Sequence, residues 1–286
     1  MDIKDKNTRM PRPEWLKVKA PGGENYKTIK NMLRGQSLHT VCESAHCPNM
    51  GECWACGTAT FMILGDVCSR NCRFCAVSSG APTPPDPEEP RKLAESIQSM
   101  GLSHAVITSV TRDDLADGGA NHWAEVIRRV KEVNPNTTVE VLIPDFAGDA
   151  KALQIVIDAR PDVMNHNVET VPRLYPTVRP KANYQQSLWV LDESRKQGLR
   201  TKTGIMVGLG ETKEEIADVM RDLVKIGVSI MTIGQYLQPT QAHLPVVRYV
   251  HPDEFADYQQ MGYAIGLKKV ESAPLVRSSY HAERAL

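Results

Sequence analysis

All seven cysteines of this chain lie in one short stretch, which limits the possible folds more than any other feature of the sequence. They occupy positions 42, 47, 53, 56, 68, 72 and 75 of 286. A protein stabilised by disulfides spreads its cysteines through the fold, so that the bridges join distant segments. An odd number of cysteines in a single stretch indicates metal ligands instead. We therefore expect loops that wrap around one or more metal centres.

Beyond the cysteines, short apolar runs alternate with helical patterns. The apolar runs predict strands at Thr60–Leu64, His104–Ser109, Thr138–Ile143, Val163–Asn167, Arg200–Met206 and Ser229–Gln235. The helical patterns lie at Pro90–Met100, Asn121–Glu132, Asp149–Ala159, Tyr184–Gln197, Lys213–Ile226 and Pro252–Gly266. Six strands that are each followed by a helix predict parallel βα units. Since a closed barrel has eight strands, the sequence favours a partial (β/α)6 barrel of the TIM type, with a doubly wound open sheet as the alternative.

The chain is expected to carry an extension at each end of this barrel. We assign residues 1–58 to an N-terminal extension, 59–266 to the barrel and 267–286 to a C-terminal extension. Prolines and glycines between Pro11 and Gly23 predict an arm without regular elements over residues 1–40. Residues 41–60 are predicted to form a loop around a ligand.

Charge and hydropathy exclude two broad classes of partner. Lys plus Arg and Asp plus Glu number 34 each, so the net charge provides no general attraction to nucleic acid or to an anionic membrane. No segment approaches the roughly 18 apolar residues of a membrane span, and the N-terminus lacks the apolar region of a signal peptide. We expect a cytoplasmic protein that binds neither nucleic acid nor membrane.

The cysteines at 68, 72 and 75 form a C-x3-C-x2-C run directly after the first predicted strand. Thiolates bind iron in clusters and zinc in structural sites. Three cysteines leave one metal position open, as a reactive cluster requires, and the C-terminal ends of barrel strands are where active sites lie. A zinc site that takes its fourth ligand from elsewhere in the chain is the alternative.

Another trio, Cys42-x4-Cys47-x5-Cys53, precedes this run and predicts a second cluster that also lacks one ligand. We call it the first trio, by its order in the chain. Cys56 adds a C-x2-C pair that is either redox-active or a spectator thiol. Near the other end, residues 276–282 form a polar run, Val-Arg-Ser-Ser-Tyr-His-Ala. Local chemistry alone favours a solvated tail for this run.

The C-x3-C-x2-C run with Phe74 before its last cysteine resembles the signature of the radical S-adenosylmethionine superfamily. This resemblance implies a four-iron, four-sulfur cluster whose unique iron binds the amino and carboxylate groups of S-adenosylmethionine, with Phe74 near the adenine. Reductive cleavage of the sulfonium would then release a 5′-deoxyadenosyl radical that takes hydrogen from an unactivated carbon.

Further segments make the chain similar to the lipoyl synthase family over roughly residues 40–285. They are the first trio, Gly57–Gly65, the run of Cys68, Cys72 and Cys75 (called the radical trio below), Thr108–Leu115, Asn165–Thr170, Thr201–Thr212 and the Arg-Ser-Ser-Tyr run at 277–280. The family resemblance implies that Cys42, Cys47, Cys53 and Ser279 hold an auxiliary cluster, whose sulfur is consumed. An oxygen ligand is harder than thiolate and holds iron less tightly, which suits a cluster that must come apart.

The same resemblance implies a substrate and partners. Sulfur is expected at C6 and then C8 of an octanoyl group on a lysine of a lipoyl carrier, either a 2-oxoacid dehydrogenase E2 subunit or the glycine cleavage H protein. A ferredoxin or flavodoxin would supply electrons, and cluster-repair proteins would restore the auxiliary cluster. Biotin synthase and the methylthiotransferases are the nearest alternatives, and a ferredoxin-like electron carrier is an alternative from another class.

Some polar and glycine residues at strand ends are weaker candidates for contacts to S-adenosylmethionine. They are Asn165, Asn167, Glu169, Gly208 and Gly210, for which helix capping or a helix N-terminal turn is an alternative role. Lys202 is interpreted as a surface lysine in preference to one that points into the barrel. Thr111, Arg112 and Asp113 are predicted to form either a ligand-facing loop or a solvated one.

Overall fold

The structure is a computed structural model that describes residues 10–18, 22–36, 38–55 and 60–280. Cys56 and the last two residues of the polar run at 276–282 lie outside these residues. No helix within the described residues has both the length and the apolar character that a membrane crossing requires.

The chain is built around one mostly parallel sheet. Its ten strands are β1 (His39–Thr40), β2 (Thr60–Ile63), β3 (Val67–Cys68), β4 (Ser78–Ser79), β5 (His104–Ser109), β6 (Thr138–Leu142), β7 (Val163–Asn165), β8 (Arg200–Val207), β9 (Ile230–Gln235) and β10 (Lys269–Ser272). Eight of them form the main sheet in the order β1-β2-β5-β6-β7-β8-β9-β10, and β3 pairs with β4 apart from it. Only β1 runs antiparallel to its neighbour in the main sheet.

Helices alternate with the strands of the main sheet. They are α1 (Glu24–Gly35), α2 (Val41–Ser44), α3 (Met50–Ala55), α4 (Glu89–Met100), α5 (Ala120–Val133), α6 (Ala150–Asp158), α7 (Tyr175–Val178), α8 (Tyr184–Lys196), α9 (Lys213–Lys225) and α10 (Pro252–Ile265), with 3₁₀ turns at Glu14–Leu16, Phe146–Gly148 and Pro172–Leu174. From β2 onward, consecutive strands of the main sheet are neighbours with helices between them, which is the topology of a (β/α) barrel. The predicted partial barrel is confirmed.

The six predicted strands and six predicted helices are all present. The strands are buried on both faces, as their short apolar runs predicted, and the helices bury one face at the helical period. β10 was not predicted. It pairs in parallel with β9 and adds a seventh strand of the barrel direction inside the predicted C-terminal extension. The residues after β10 consequently start at the same edge of the sheet as the other strand-end loops.

The expectation of an N-terminal arm without regular elements is wrong for residues 24–35, which form α1. Glycines precede this helix at its start and do not interrupt it, while Ile29 and Leu33 are buried on one face. The expected loop over 41–60 likewise contains α2 and α3. Trp54 of α3 is fully buried, and its ring lies 5.0 Å from that of Tyr26 in α1. Apolar contact between the two helices therefore orders a segment whose polar composition predicted a loop.

The lower interior of the barrel contains a buried ion pair. Lys202 of β8 donates to both carboxylate oxygens of Glu140 in β6, at 2.9 and 3.0 Å, and both side chains are only 1% exposed. Asn165 of β7 donates to the same carboxylate at 2.9 Å. The interpretation of Lys202 as a surface lysine is wrong, because a carboxylate on β6, two strands away in the sheet, allows its burial.

Candidate active site

One cavity of about 470 Å³ is bordered by the loops that follow the strands of the barrel. Its lining includes Cys42 and Cys47 of the first trio, and all three cysteines of the radical trio, Cys68, Cys72 and Cys75. Ser279 of the C-terminal run also borders it. Cys53 does not line the cavity but packs against the same hydrophobic core as Cys47 and Cys68. Both cysteine groups and the end of the chain thus meet in one place.

The radical trio begins where the chain leaves β2. Cys68 ends β3, and its Sγ accepts hydrogen bonds from the backbone N–H groups of Arg70 at 3.4 Å and Thr111 at 3.3 Å. Ser69 fastens the same loop, because its hydroxyl donates to the carbonyl of Thr111 and accepts from the N–H of Asp113. These two N–H groups fix the position of the Cys68 sulfur at the end of β3. The residues after β5 thus hold the loop of Cys68 in place.

Arg70, between Cys68 and Cys72, joins this loop to two other strand ends. Its guanidinium makes a bidentate contact with Asp113, at 2.7 and 2.9 Å, and a third contact with Asp145 at 2.7 Å. The Arg70 side chain is 7% exposed, and Asp145 is fully buried. Burial alone would raise the pKa of Asp145, but Arg70 outweighs it and lowers that pKa to about 2. We call these three residues the Arg70 clamp.

The opposite side of the loop is held by the segment between β9 and α10. The N–H of Leu244 donates to the carbonyl of Arg73 at 3.1 Å. His243 places Nε2 2.8 Å from the carbonyl oxygen of Cys75 and Nδ1 2.8 Å from the hydroxyl of Thr240. The radical trio is therefore fixed by neighbours on both sides.

The donor atoms suit iron–sulfur clusters. Burial, together with a smaller effect of neighbouring cysteines, raises the pKa of Cys42 to about 11 and that of Cys75 to about 12. Thiols in such surroundings stay protonated at neutral pH unless a metal displaces the proton. No three His, Cys, Asp or Glu side chains in the described ranges converge on a single ion. Three cysteine thiols on one loop are the kind of donor set that holds an iron–sulfur cluster, in which each thiolate binds a different iron.

The first trio is spread over α2, α3 and the turn between them. Cys42 belongs to α2, whose first turn is capped by Thr40, and Cys53 belongs to α3. The N–H of Cys47 donates to the carbonyl of Cys42 at 3.0 Å, which folds the turn back on the helix. The first trio therefore depends on elements outside the barrel.

Two long-range hydrogen bonds attach the C-terminal run to the first trio. Asn49 Nδ2 donates to the carbonyl of Leu275 at 2.7 Å, and the Tyr280 hydroxyl lies 3.1 Å from Oε1 of Glu52. Asn49 and Glu52 stand between Cys47 and Cys53, while Leu275 and Tyr280 bracket Ser279. The structure therefore brings the predicted serine and the predicted cysteines into one neighbourhood.

The remaining predicted contacts fall into two groups. Phe74, Asn167 and Glu169 border the cavity. Asn165 lies lower in the barrel on Glu140, and the glycines at 208 and 210 do not border the cavity. The N–H of Gly208 donates to the carboxylate of Glu211, which holds that turn from within.

Sequence reasoning missed Arg179, a buried cation at the cavity wall. Nη1 of Arg179 donates to the carbonyl of Asn167 at 2.9 Å, and Nε has no hydrogen-bond partner among the described residues. The carboxylate of Glu169 and the thiol of Cys72 both interact electrostatically with it. Glu169 itself has a positive φ of 65°, which is strained for a residue with a side chain. No spacing or motif in the sequence marks Arg179.

Apolar side chains cover much of the remaining wall. They come from β2, from the ends of the other strands and from the C-terminal run, and they are Met62, Val110, Leu142, Ile143, Ile205, Met206, Leu237 and Val276. A wall of this kind excludes water and can accept an alkyl chain.

Comparison with protein families gives two matches. Residues 62–223 match the Radical SAM superfamily, and residues 2–47 match the N-terminal domain of lipoyl synthase of the Radical_SAM family. A lipoyl synthase from Rubrobacter xylanophilus is 57% identical over 284 residues, which cover 99% of this chain and 88% of the relative. A lipoyl synthase from Phocaeicola vulgatus is 56% identical over 273 residues, or 96% of each chain.

Solved structures with little sequence identity share the fold. Streptococcus suis SuiB bound to the precursor peptide SuiA aligns with a TM-score of 0.61 at 8% identity, over 86% of this chain and 52% of that one. Methylornithine synthase (PylB) aligns with a TM-score of 0.54 at 12% identity, over 90% of this chain and 79% of that one. At these identities the likeness establishes the fold alone.

Proposed function

Because the chain belongs to the lipoyl synthase family, a group of sulfur-inserting radical S-adenosylmethionine enzymes, we propose that it adds two sulfur atoms to a protein-bound octanoyl group, at C6 and then C8, with the two cysteine trios in separate roles. The observation that carries the proposal is the single cavity bordered by cysteines of both trios and by Ser279. Radical generation and sulfur donation would then take place on either side of one substrate.

On the radical side, Cys68, Cys72 and Cys75 would hold a four-iron, four-sulfur cluster. The cluster and S-adenosylmethionine, when bound, would supply a 5′-deoxyadenosyl radical, and the auxiliary cluster would supply sulfur. Arg179 offers a buried cation and Glu169 a carboxylate, which complement the carboxylate and amino groups of a methionyl moiety. Phe74 and Asn167 border the space left for the nucleoside.

On the sulfur side, Cys42, Cys47, Cys53 and Ser279 would hold the auxiliary cluster. The serine oxygen is the weakest of the four ligands, so iron is released most easily at that corner. The hydrogen bonds at Asn49 and Tyr280 keep Ser279 beside the cysteines. We assign the three domains accordingly: residues 1–58 and 267–286 carry the auxiliary ligands, and residues 59–266 carry the radical site.

The substrate is an octanoyl chain in amide linkage to a lysine of a carrier domain. The apolar wall between the two trios would bind the alkyl chain and keep water away from a carbon radical. E2 subunits of 2-oxoacid dehydrogenases and the glycine cleavage H protein are the proposed carriers, with a ferredoxin or flavodoxin as reductant and cluster-repair proteins acting between turnovers. We place the reaction in the cytoplasm, where reducing conditions keep cysteines free of disulfides.

Anaerobic reconstitution followed by turnover tests this proposal. The protein should bind about eight irons per chain, as two four-iron clusters require. The reduced enzyme, mixed with S-adenosylmethionine and an octanoyl-lysyl peptide, should yield 5′-deoxyadenosine and a lipoyl peptide. Four irons per chain, or 5′-deoxyadenosine without a thiolated peptide, would contradict the assignment.

The serine ligand has its own test. Ser279→Ala should lower sulfur insertion and weaken retention of the auxiliary iron, while cleavage of S-adenosylmethionine continues. Sulfur insertion at the wild-type rate would show that another group completes the auxiliary site.

A further inference from the structure

The C-terminal run enters the barrel mouth through space that two glycines leave open. A methyl group built on Gly234 of β9 would lie 2.1 Å from the carbonyl oxygen of Val276. One built on Gly204 of β8 would lie 2.5 Å from the hydroxyl of Thr232 and 3.2 Å from that of Ser278. A side chain at Gly234 would therefore displace the backbone of the run, and one at Gly204 would crowd Thr232, Asn167 and Ser278. We call Gly204 and Gly234 the glycine seat.

Ser278 contacts a residue that Ser279 does not. Asn167 Nδ2 donates to the hydroxyl of Ser278 at 2.7 Å, and that hydroxyl lies 2.9 Å from Oδ1 of the same amide. One serine side chain is thus bonded to both ends of one asparagine, 111 positions away in the sequence. The two neighbouring serines of the run therefore have different surroundings.

Asn167 links the run to the cofactor side of the cavity. Its backbone carbonyl accepts from Arg179, and Glu169 follows it by two residues. Two hydrogen bonds fix the residues just before the run. The N–H of Gln235 donates to the carbonyl of Pro274, and Asn49 Nδ2 donates to the carbonyl of Leu275. The segment that carries Ser279 is consequently fixed at a point between the two cluster sites.

We propose that Ser278 is a positioning residue that delivers Ser279 to the auxiliary cluster, by its bond to Asn167 and by insertion into the glycine seat. The inference rests on the proposed function, which makes Ser279 a ligand. An oxygen ligand holds iron less tightly than thiolate. A weak ligand needs an anchor that does not depend on the iron, and Ser278 provides it.

The first test measures release of auxiliary iron to a chelator from the reconstituted full-length protein. Ser278→Ala should bind about eight irons at first. It should then release the auxiliary four about tenfold faster, because the partly buried amide of Asn167 loses its hydrogen-bond partner. Asn167→Ala should accelerate release to the same extent, and the double variant should be no faster than either single one. Ser272→Ala is the matched control, because that buried hydroxyl has no hydrogen-bond partner among the described residues.

The second test uses the seat. Gly234→Ala should reduce the iron content from about eight to about four per chain, with loss of the auxiliary spectroscopic signal and continued cleavage of S-adenosylmethionine. Gly35→Ala is the matched control, because a methyl group there meets no atom within 4 Å. Since Ser278→Ala removes one atom and creates no clash, it tests the inference even if Gly234→Ala does not fold.

The outcomes separate this inference from the function on which it rests. Release from Ser278→Ala at the wild-type rate, or additive effects in the double variant, would overturn the anchoring role. About eight irons per chain in Gly234→Ala would show that insertion into the glycine seat is not needed to hold the auxiliary cluster. A wild-type enzyme that makes no lipoyl product would contradict the proposed function. Full activity in Ser279→Ala would contradict the ligand assignment, and with it the role of Ser278 in delivering that ligand.

Discussion

The two cysteine trios reach the same cavity by different routes. The radical trio sits on a short loop after β2 and is held by the ends of neighbouring strands, through the Arg70 clamp and the contacts of Thr111 and His243. The first trio lies on helices outside the barrel, and hydrogen bonds that span 226 and 228 residues join its segment to the run that carries Ser279. One site is built by the scaffold itself, and the other is assembled from the two ends of the chain.

This difference suits the two chemical tasks. A cluster that passes electrons in every cycle benefits from rigid surroundings, because fixed dipoles and distances keep its properties constant. A cluster that gives up its sulfur must open, and a site made of chain ends can open without disturbing the barrel. The predictions below ask whether damage to one site spares the other.

Breaking the Arg70 clamp should produce the largest effect and should be confined to the radical site. Arg70→Met would leave the fully buried Asp145 without its cation, a loss of about 3–5 kcal/mol. We expect cleavage of S-adenosylmethionine to fall at least about a hundredfold, with the auxiliary iron retained. Arg91→Met is the control, since Arg91 also contacts two carboxylates but is 47% exposed. Equal loss of both clusters would erase the distinction between the sites.

Damage to the lower barrel should affect both sites together. Lys202→Met leaves Glu140 buried without its cation and should lower the free energy of unfolding by about 3–5 kcal/mol. In urea, the absorbance of both clusters and the helical circular dichroism should then be lost at one lower midpoint. Adding Glu140→Gln should restore much of the stability, and Lys213→Met, at an exposed pair, should change little. Early loss of only one cluster would contradict this view.

The same ion pair predicts acid sensitivity. Burial alone would raise the pKa of Glu140, but Lys202, His104 and Asn165 together lower it below the ordinary value. A carboxyl group with a depressed pKa adds stability above its unfolded pKa of about 4.3 and loses that contribution as the pH falls toward the folded pKa. As the pH falls below about 5, the wild-type urea midpoint should therefore fall more than that of the Glu140→Gln/Lys202→Met variant. Parallel profiles would show that this pair does not contribute.

The smallest effect is expected at the edge of the auxiliary site. Tyr280→Phe removes a solvent-exposed hydrogen bond to Glu52, which contributes about 0.5 kcal/mol. Auxiliary iron should be released to a chelator about twofold faster, and cleavage of S-adenosylmethionine should be unchanged. Tyr263→Phe serves as the control because its hydroxyl makes only a long contact of 3.4 Å with the carbonyl of Val270. A change in the radical reaction would mean that the two sites are coupled through the chain ends.

The sequence predicted the barrel side of the molecule well. Apolar runs and helical periods are local signals, so β5 matched its predicted bounds. The position of the radical trio directly after a predicted strand likewise placed it at a strand end. Asn167 and Glu169 follow β7 and do border the cavity, whereas Asn165, one layer lower, serves Glu140. How deep a side chain lies in a barrel depends on how the strands are staggered, which an apolar run in the sequence does not show.

Long-range partners could not be predicted from the residues themselves. α1 and α3 are ordered by a contact between Tyr26 and Trp54, and Lys202 is buried because Glu140 stands on a strand 62 positions earlier. Arg179 belongs to no motif, although it is a buried cation at the cavity wall. Local chemistry described the Arg-Ser-Ser-Tyr run as a solvated tail, and only family resemblance connected Ser279 with the cysteines.

The most direct test of the two-site account is the reaction of Cys47→Ala with S-adenosylmethionine and an octanoyl-lysyl peptide under reducing, anaerobic conditions. If the trios have separate roles, this variant forms 5′-deoxyadenosine but no thiolated peptide. Loss of 5′-deoxyadenosine formation, or a normal yield of lipoyl peptide, would contradict the account.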